Sequence, residues 1–435
     1  MSFIKNVDTF TITRTRADAL TILEAGYASI DTGNAIRQHV SLEGKALTVG
    51  EHTFDLTCFD RLLVIAFGKC AVDASVVLEE ILGDHITDGI VIDIRSGAPL
   101  KRLSFRSATH PLPSEQNIAA AGNVATLLTG ATERDLVLVV VSGGGSSMLC
   151  LPNDMTCETL IAMTDALMKA GATIDELNTV RKHTSKIQGG QLAQMAYPAT
   201  VVACIFSDVP GDDIGTIASG PTALDHTTKE DAGRILAKYD VLNTCALPHC
   251  ELVETPKDPA LFAHVTHVMM VTNRIALTAM REKAEALGYR AYVAKIGLEG
   301  EACDVGVRLV DDASRGNTCL LYGGETTVTI PEDIKCGRGG RAQEVALSAL
   351  NHFAKKEMAQ DTVIVAIASD GWDNGDVAGA IIDEGSAVGA YFFGLSPEDF
   401  LKNHDAYGFF ERAGGHIVTG RTGMNVSDIY FSLTS

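Results

Sequence analysis

The chain has no CxxC pair among its ten cysteines, a single tryptophan in 435 residues, no run of lysine and arginine, and no apolar stretch of membrane-spanning length. Each shortage excludes something. Without CxxC spacing, neither a structural zinc site nor a dithiol redox centre is supported. Most cysteines, such as Cys70, Cys204 and Cys319, stand in apolar contexts and read as small core residues kept reduced. The formal net charge is −20, and with no basic run to offset it, nucleic acid and anionic membrane are poor partners. GxxxxGK[ST] is missing, so there is no Walker-type phosphate loop, and no GxGxxG stands between a strand and a helix. A GxSxG elbow and HExxH are also missing, so the hydrolase and zinc readings lack support. MSFIKNVDTF does not have the character of a signal peptide. A soluble cytoplasmic protein is the expectation.

What is there is a long α/β chain. At this length one core is too few, and two domains are expected. Apolar and charged periodicities alternate: strands are predicted at Leu62–Ala66, Gly89–Ile94, Leu136–Val141 and Thr200–Phe206, with helices from Ala71, over 115–128 and over 174–186. This βαβ rhythm predicts a mostly parallel sheet covered on both faces. It fails over 243–263, which reads as the crossing between a domain at 1–250 and a second at 251–435. There the predicted strands are His267–Val271, Ala291–Ala294, Thr318–Leu321, Thr326–Ile330, Thr362–Ala368 and Ile429–Leu433, with a helix over 341–356.

The most informative stretch is VLVVVSGGGSS, residues 137–147. A continuous apolar run is what a strand buried on both faces looks like. It stops in Gly143, Gly144 and Gly145, flanked by Ser142, Ser146 and Ser147. Glycine lets backbone N–H groups approach an anion, and a buried strand ending this way builds an anion site, or simply a tight turn.

Other glycine-rich strand ends share this layout. Lys69 in FGK stands at a helix start, where the dipole disfavours a cation, so an anion should accompany it. GRGGRAQE sets Arg338 and Arg341 around Gly339 and Gly340 before a helix, an arrangement suited to phosphate oxygens. Asp208, Asp212 and Asp213 crowd a strand end as metal or proton acceptors, or as turn residues. Asp370 ends the apolar strand VIVAIAS and stands above Asp373 as a candidate. Lys182 and Lys186 share a helix face, as a basic patch or a solvated one.

Taken together, these segments resemble the class II glycerate kinases, the glycerate 2-kinase family with a C-terminal MOFRL domain. VSGGGSSMLCLP, LNTVRKHTSKIQGGQLA and SDVPGDDIGTIASGPT are similar to that family's N-terminal signatures. YGGETTVTI, GRGGRAQE, SDGWDNGDVAGAIID and VTGRTGMNVSD are similar to its MOFRL signatures. Ala342 stands where the family commonly has Asn, and the Asp370 loop is about one residue shorter and carries Trp372.

The resemblance implies two α/β domains: a Rossmann-like parallel-sheet domain, a smaller mixed α/β MOFRL-type domain, and an active site in the cleft between them. It implies transfer of the γ-phosphoryl group of ATP to the 2-hydroxyl of D-glycerate with Mg²⁺, in a monomer or homodimer. On matching positions, Lys69 and Arg341 hold glycerate and stabilise the phosphoryl in transfer, with Arg181 as a further substrate contact. Ser142–Ser147, Gly339 and Gly340 cradle phosphate. Asp208 and Asp370 are the catalytic carboxylates, and Asp208, Asp212 and Glu325 the metal-binding set. The alternatives are an NAD(P)H-dependent hydroxypyruvate reductase and a non-catalytic ligand-binding homologue.

Overall fold

The computed structural model describes residues 2–10, 13–95, 100–245, 250–313, 316–331, 335–356 and 361–435. The chain forms two compact units, Thr32–Met270 and Met1–Asp31 with Val271–Ser435. This division differs from a cut at residue 250 in two ways. Helix α1 (Arg14–Ile30) belongs to the later unit because its apolar residues, Ala19, Leu20, Ile22 and Leu23 among them, are buried and it packs along a helix of that unit, over 273–286. Residues 250–263 are no free crossing: the Val253 N–H donates to the His183 carbonyl at 2.8 Å, and the buried Thr255 hydroxyl donates to Asp225 at 3.0 Å.

Six strands make the sheet of the 32–270 unit: β1 (Arg61–Phe67), β2 (Asp88–Asp93), β3 (Ser104–Ser107), β4 (Asp135–Val141), β5 (Thr200–Phe206) and β6 (Val265–Val271). Their order is β3-β2-β1-β4-β5-β6. The pairs β2–β3, β1–β2, β1–β4 and β4–β5 are parallel. Every residue of β4 is buried, which is why it reads as an unbroken apolar run. Each of its large side chains taken from water contributes about 1.5–3 kcal/mol. The order runs outward in both directions from β1 and β4, so the crevice outside their carboxyl ends is the topological switch point where doubly wound sheets bind ligands.

After β1 comes helix α2 (Ala71–Leu82), after β3 helix α3 (Glu115–Leu127), and after β4 helices α4 (Cys157–Lys169) and α5 (Ile174–His183). The predicted 174–186 helix stops at His183. A small antiparallel meander over residues 40–55, absent from the predicted set, precedes β1.

The other unit is mixed. Its strands β7 (Arg290–Leu298), β8 (Thr318–Gly324), β9 (Thr362–Ala368), β10 (Gly379–Ile382), β11 (His416–Ile417) and β12 (Asp428–Thr434) run in the order β7-β8-β12-β9-β10-β11. The pair β7–β8 is parallel, and β12 is antiparallel to both neighbours. Helix α6 (Asn273–Ala286) packs on β7 and β8, and helix α7 (Arg341–Phe353) on β9 and β10. The predicted strand Thr326–Ile330 is not one. Thr327 makes a single bridge to Glu301, and the Thr327 and Thr329 hydroxyls donate to the Glu301 carboxylate instead of joining a ladder. No described helix is long and apolar enough to cross a membrane.

Candidate functional site

The carboxyl ends of β1 and β4 are tied together residue by residue. The Ser142 N–H donates to the Phe67 carbonyl at 3.2 Å and the Lys69 N–H to the Gly143 carbonyl at 2.9 Å. The Ser142 hydroxyl donates to the Phe67 carbonyl and accepts from the Cys70 N–H. Gly68 makes this closeness possible. Its φ is +111°, and a Cβ there would stand 2.2 Å from the Ser142 Oγ, so a side chain would force the two loops apart.

The hydroxyls expected to meet phosphate are engaged inside the loop. Ser142 is locked as described, and Ser147 donates to the Gly144 carbonyl. Ser219 donates to the Asn178 Oδ1, so the Ser146 hydroxyl is the donor in its 3.0 Å bond to Ser219. The backbone groups are what remains. The N–H groups of Gly143, Gly144 and Ser146 have no acceptor among the described residues. Gly144 is left-handed, with φ +81°, and an αL turn of successive N–H groups is an anion-binding nest. Against it packs the IASGPT segment, where Ala218 and Ser219 hold φ of +52° and +59°. Non-glycine residues pay about 1–3 kcal/mol each for that conformation, which recurs at ligand sites.

Lys69 adjoins this nest through its backbone, its N–H being the one held by the Gly143 carbonyl. Its ammonium has no hydrogen-bond or ion-pair partner among the described residues. The nearby acid is already committed: the Asp93 carboxylate, fully buried at the end of β2, accepts from the Val72 N–H and pairs with Arg95. His110 lies alongside. Burial and the Lys69 charge push it down to about 4, so it is neutral at neutral pH.

At the end of β5, Asp208 is half-buried and Asp212 takes a left-handed backbone, φ +56°. The Asp212 carboxylate has no partner among the described residues. Asp213 has turn chemistry: it accepts from the Gly215 N–H and the Thr216 hydroxyl.

In the VRKH stretch, Lys182 and Lys186 do not make a patch. Lys182 is buried against Asp225 at 3.2 Å, whose carboxyl is held well below its usual range by His183, Lys182 and Thr227; Lys186 is exposed. Arg181, which precedes them, is half-buried with no ion-pair partner among the described residues, and burial pushes its pKa down.

In the other unit, the register sets Gly324 and Ala368 opposite Asp428. Glu325, Asp370 and Asp428 therefore share one edge of the sheet. Arg341, the first residue of α7, forks onto Asp428, with Nε to Oδ2 at 2.5 Å and Nη2 to Oδ1 at 3.2 Å. Its Nη1 meets the Glu325 Oε1 at 2.6 Å. Asp428 is buried and also accepts from the Tyr430 hydroxyl, and burial pushes its carboxyl up to about 7. Glu325 is thus an ion-pair partner of Arg341. Among the described residues no three acidic, histidine or cysteine side chains converge as a metal site. Asp370 accepts from the Trp372 N–H in a tight turn, and the Trp372 ring stacks under Arg421 at 4.3 Å.

At the start of α7, the Ala342 and Gln343 N–H groups are capped by Asp373, while those of Gly339 and Gly340 have no acceptor among the described residues. This buried carboxylate accepts from Ala342 N–H at 3.0 Å, Gln343 N–H at 2.8 Å and Gln343 Nε2 at 3.0 Å. In the sequence Asp373 ranks below Asp370 as a candidate. Its role and that of Asp428 depend on chain reversals that motif spacing does not display. Asp373→Ala is expected to destabilise this unit by about 2–4 kcal/mol, the loss of a cap plus stranded buried donors. Chemical denaturation measures it; a change under about 0.5 kcal/mol, the size of an ordinary surface substitution, would contradict the capping role.

Two family models match the chain: a domain of unknown function (DUF4147) over residues 18–249 and the MOFRL family over 318–428. A glycerate 2-kinase of Pyrococcus horikoshii is 36% identical, with 97% of each chain covered. A relative from Agrobacterium vitis, provisionally named a hydroxypyruvate reductase, is 35% identical over 85% of this chain and 98% of its own. The crystal structure of a glycerate kinase from Thermotoga maritima superposes with a TM-score of 0.83 at 31% identity, covering 96% of this chain and 99% of that one. The chain belongs to the glycerate kinase family with a C-terminal MOFRL domain.

Proposed function

We propose that this chain is an ATP-dependent glycerate 2-kinase, transferring the γ-phosphoryl group to the 2-hydroxyl of D-glycerate to give 2-phosphoglycerate and ADP. The observation that carries the reading is the switch-point constellation: Lys69, whose ammonium has no partner among the described residues, and three N–H groups that have no acceptor among them, at the carboxyl ends of β1 and β4. Phosphoryl transfer asks a protein for positioning and charge neutralisation rather than covalent chemistry. In this reading the N–H groups of Gly143, Gly144 and Ser146 hold phosphate oxygens. Lys69 and Arg341 balance the carboxylate of glycerate and the charge that spreads over the phosphoryl oxygens. The bond from the 2-hydroxyl oxygen to phosphorus forms as the bond to the ADP oxygen breaks, and a carboxylate, Asp208 or Asp370, takes the hydroxyl proton.

Mg²⁺ is usually held by one or two carboxylates with substrate phosphates. Asp208 and the uncommitted Asp212 fit that donor chemistry, and the ion would neutralise nucleotide phosphate charge.

The reductase reading shares the sheet order but not the residues. In dinucleotide-binding sheets an acidic side chain on the second strand or just after it takes the ribose hydroxyls. Here that position, Asp93, is fully buried and bonded to Val72 and Arg95, which supports the kinase. Parallel assays decide: ADP formation dependent on D-glycerate is expected, and NAD(P)H oxidation with hydroxypyruvate without ADP formation would overturn the proposal.

A further inference from the structure

Beside the glycine loop lies a pocket of about 350 Å³ within the 32–270 unit. Gly144, Ser146 and Ser147 form one side of it, so it opens directly off the nest. Leu112, Leu151, Leu160, Ile161 and Met168 give it apolar walls, the last three of them from α4. The polar groups on its floor are already engaged: Thr184 donates to the Val180 carbonyl, Ser185 accepts from Gln188 N–H, and Gln188 Nε2 donates to the Ser146 and Leu149 carbonyls. Arg181 also lines the pocket and stands without an ion-pair partner among the described residues.

We infer that this pocket takes the nucleoside of the phosphoryl donor, with Arg181 receiving a phosphate of the same molecule. The inference rests on the kinase reading above. A three-carbon polyhydroxy acid has no apolar surface to set against five aliphatic side chains, and it would leave most of the volume unfilled. A purine ring with its sugar is flat, largely apolar on its faces and of the size such pockets hold. The charge arrangement agrees. An unpaired cation half-withdrawn from water is stabilised by an anion. A nucleotide seated here brings phosphates to Arg181 and to the N–H groups of Gly144 and Ser146 together. Neutral His110 on the pocket's edge adds no competing charge.

The test uses the whole protein with Mg²⁺ and two probes, fluorescent mant-ADP and inorganic tripolyphosphate, each titrated at equilibrium so that turnover of glycerate does not enter. Ile161→Trp and Thr164→Trp fill the slot from α4 without adding charge; either one suffices should the other fail to fold. Both are expected to weaken mant-ADP by at least about tenfold and to leave tripolyphosphate within about twofold, since only the nucleoside is displaced. Arg181→Ala is expected to weaken both probes by about tenfold or more. Unchanged mant-ADP affinity in the filled variants would overturn the inference, as would no mant-ADP binding to the wild type. So would weakened equilibrium binding of D-glycerate with mant-ADP affinity retained, which would make the pocket the acceptor site. If the wild type binds mant-ADP with this variant pattern but forms no phosphoglycerate, the pocket stands and the proposed reaction falls.

Discussion

Lys69→Ala is expected to lower kcat/KM for D-glycerate by at least about 100-fold, the usual cost of deleting one charge contact to a transition state. The reason lies in what the ammonium lacks. It is half-withdrawn from water at the N-terminal end of α2, where the helix dipole disfavours a cation, and no carboxylate among the described residues pairs with it. Asp93, the nearest acid by topology, is committed to Val72 and Arg95. Such a charge is costly in the free protein and stabilised by a bound anion. Lys69→Ala should therefore leave thermal stability unchanged or slightly raised while activity falls. Steady-state kinetics with thermal unfolding checks both. Near-normal kcat/KM would remove Lys69 from the site, and a collapse in stability would make it a structural residue.

Arg341→Ala is expected to have a comparable effect, at least about 100-fold in kcat/KM, for a different reason. Arg341 is not unpaired: Asp428 holds one edge of its fork and Glu325 one terminal nitrogen. What it offers a substrate depends on the charge of those carboxylates. Burial pushes Asp428 up to about 7. As Asp428 ionises with rising pH it takes more of the Arg341 charge, so anion affinity at Arg341 should weaken through neutrality, and Asp428→Asn should flatten that dependence.

The stability sign follows from the same shift. Between an ordinary unfolded carboxyl near 4 and the folded value of about 7, the folded chain holds a proton the unfolded chain has lost. The contribution is therefore fully present below about pH 4 and is lost as pH rises through about 7. A KM for D-glycerate that is flat across this range in the wild type would contradict the coupling. Wild-type kinetics in Arg341→Ala would contradict the assignment itself.

The sheet class and the switch-point loop were legible because both are written locally. β4 is buried on both faces and so carries no polar alternation, and its loop carries the glycines that close approach to β1 and an anion nest require. Strand order was not legible, since periodicity says nothing of neighbours. The short strands β3, β10 and β11 give too few residues for a period, and the bonds that Thr327 and Thr329 make to Glu301 imitate a strand in composition alone. α1 sits with the later unit because its buried face matches α6, a long-range fact.

At the site, residue types were easier to read than commitments. Serines, aspartates and glycines at strand ends advertise ligand chemistry, yet Ser142 ties two strands, Asp373 caps a helix and Glu325 neutralises Arg341. Only partner geometry separates a side chain that waits for a ligand from one already bonded, and that is why Lys69 and Arg181 stand out among the described residues.

Transfer of a phosphoryl group to one particular hydroxyl is read straight from the ³¹P NMR spectrum of the product. The purified protein is incubated with ATP, Mg²⁺ and D-glycerate, and the product is compared with authentic 2- and 3-phosphoglycerate. The expected product is 2-phosphoglycerate, formed in equal amount with ADP. A 3-phosphoglycerate signal, or consumption of ATP to inorganic phosphate without any phosphorylated glycerate, would contradict it.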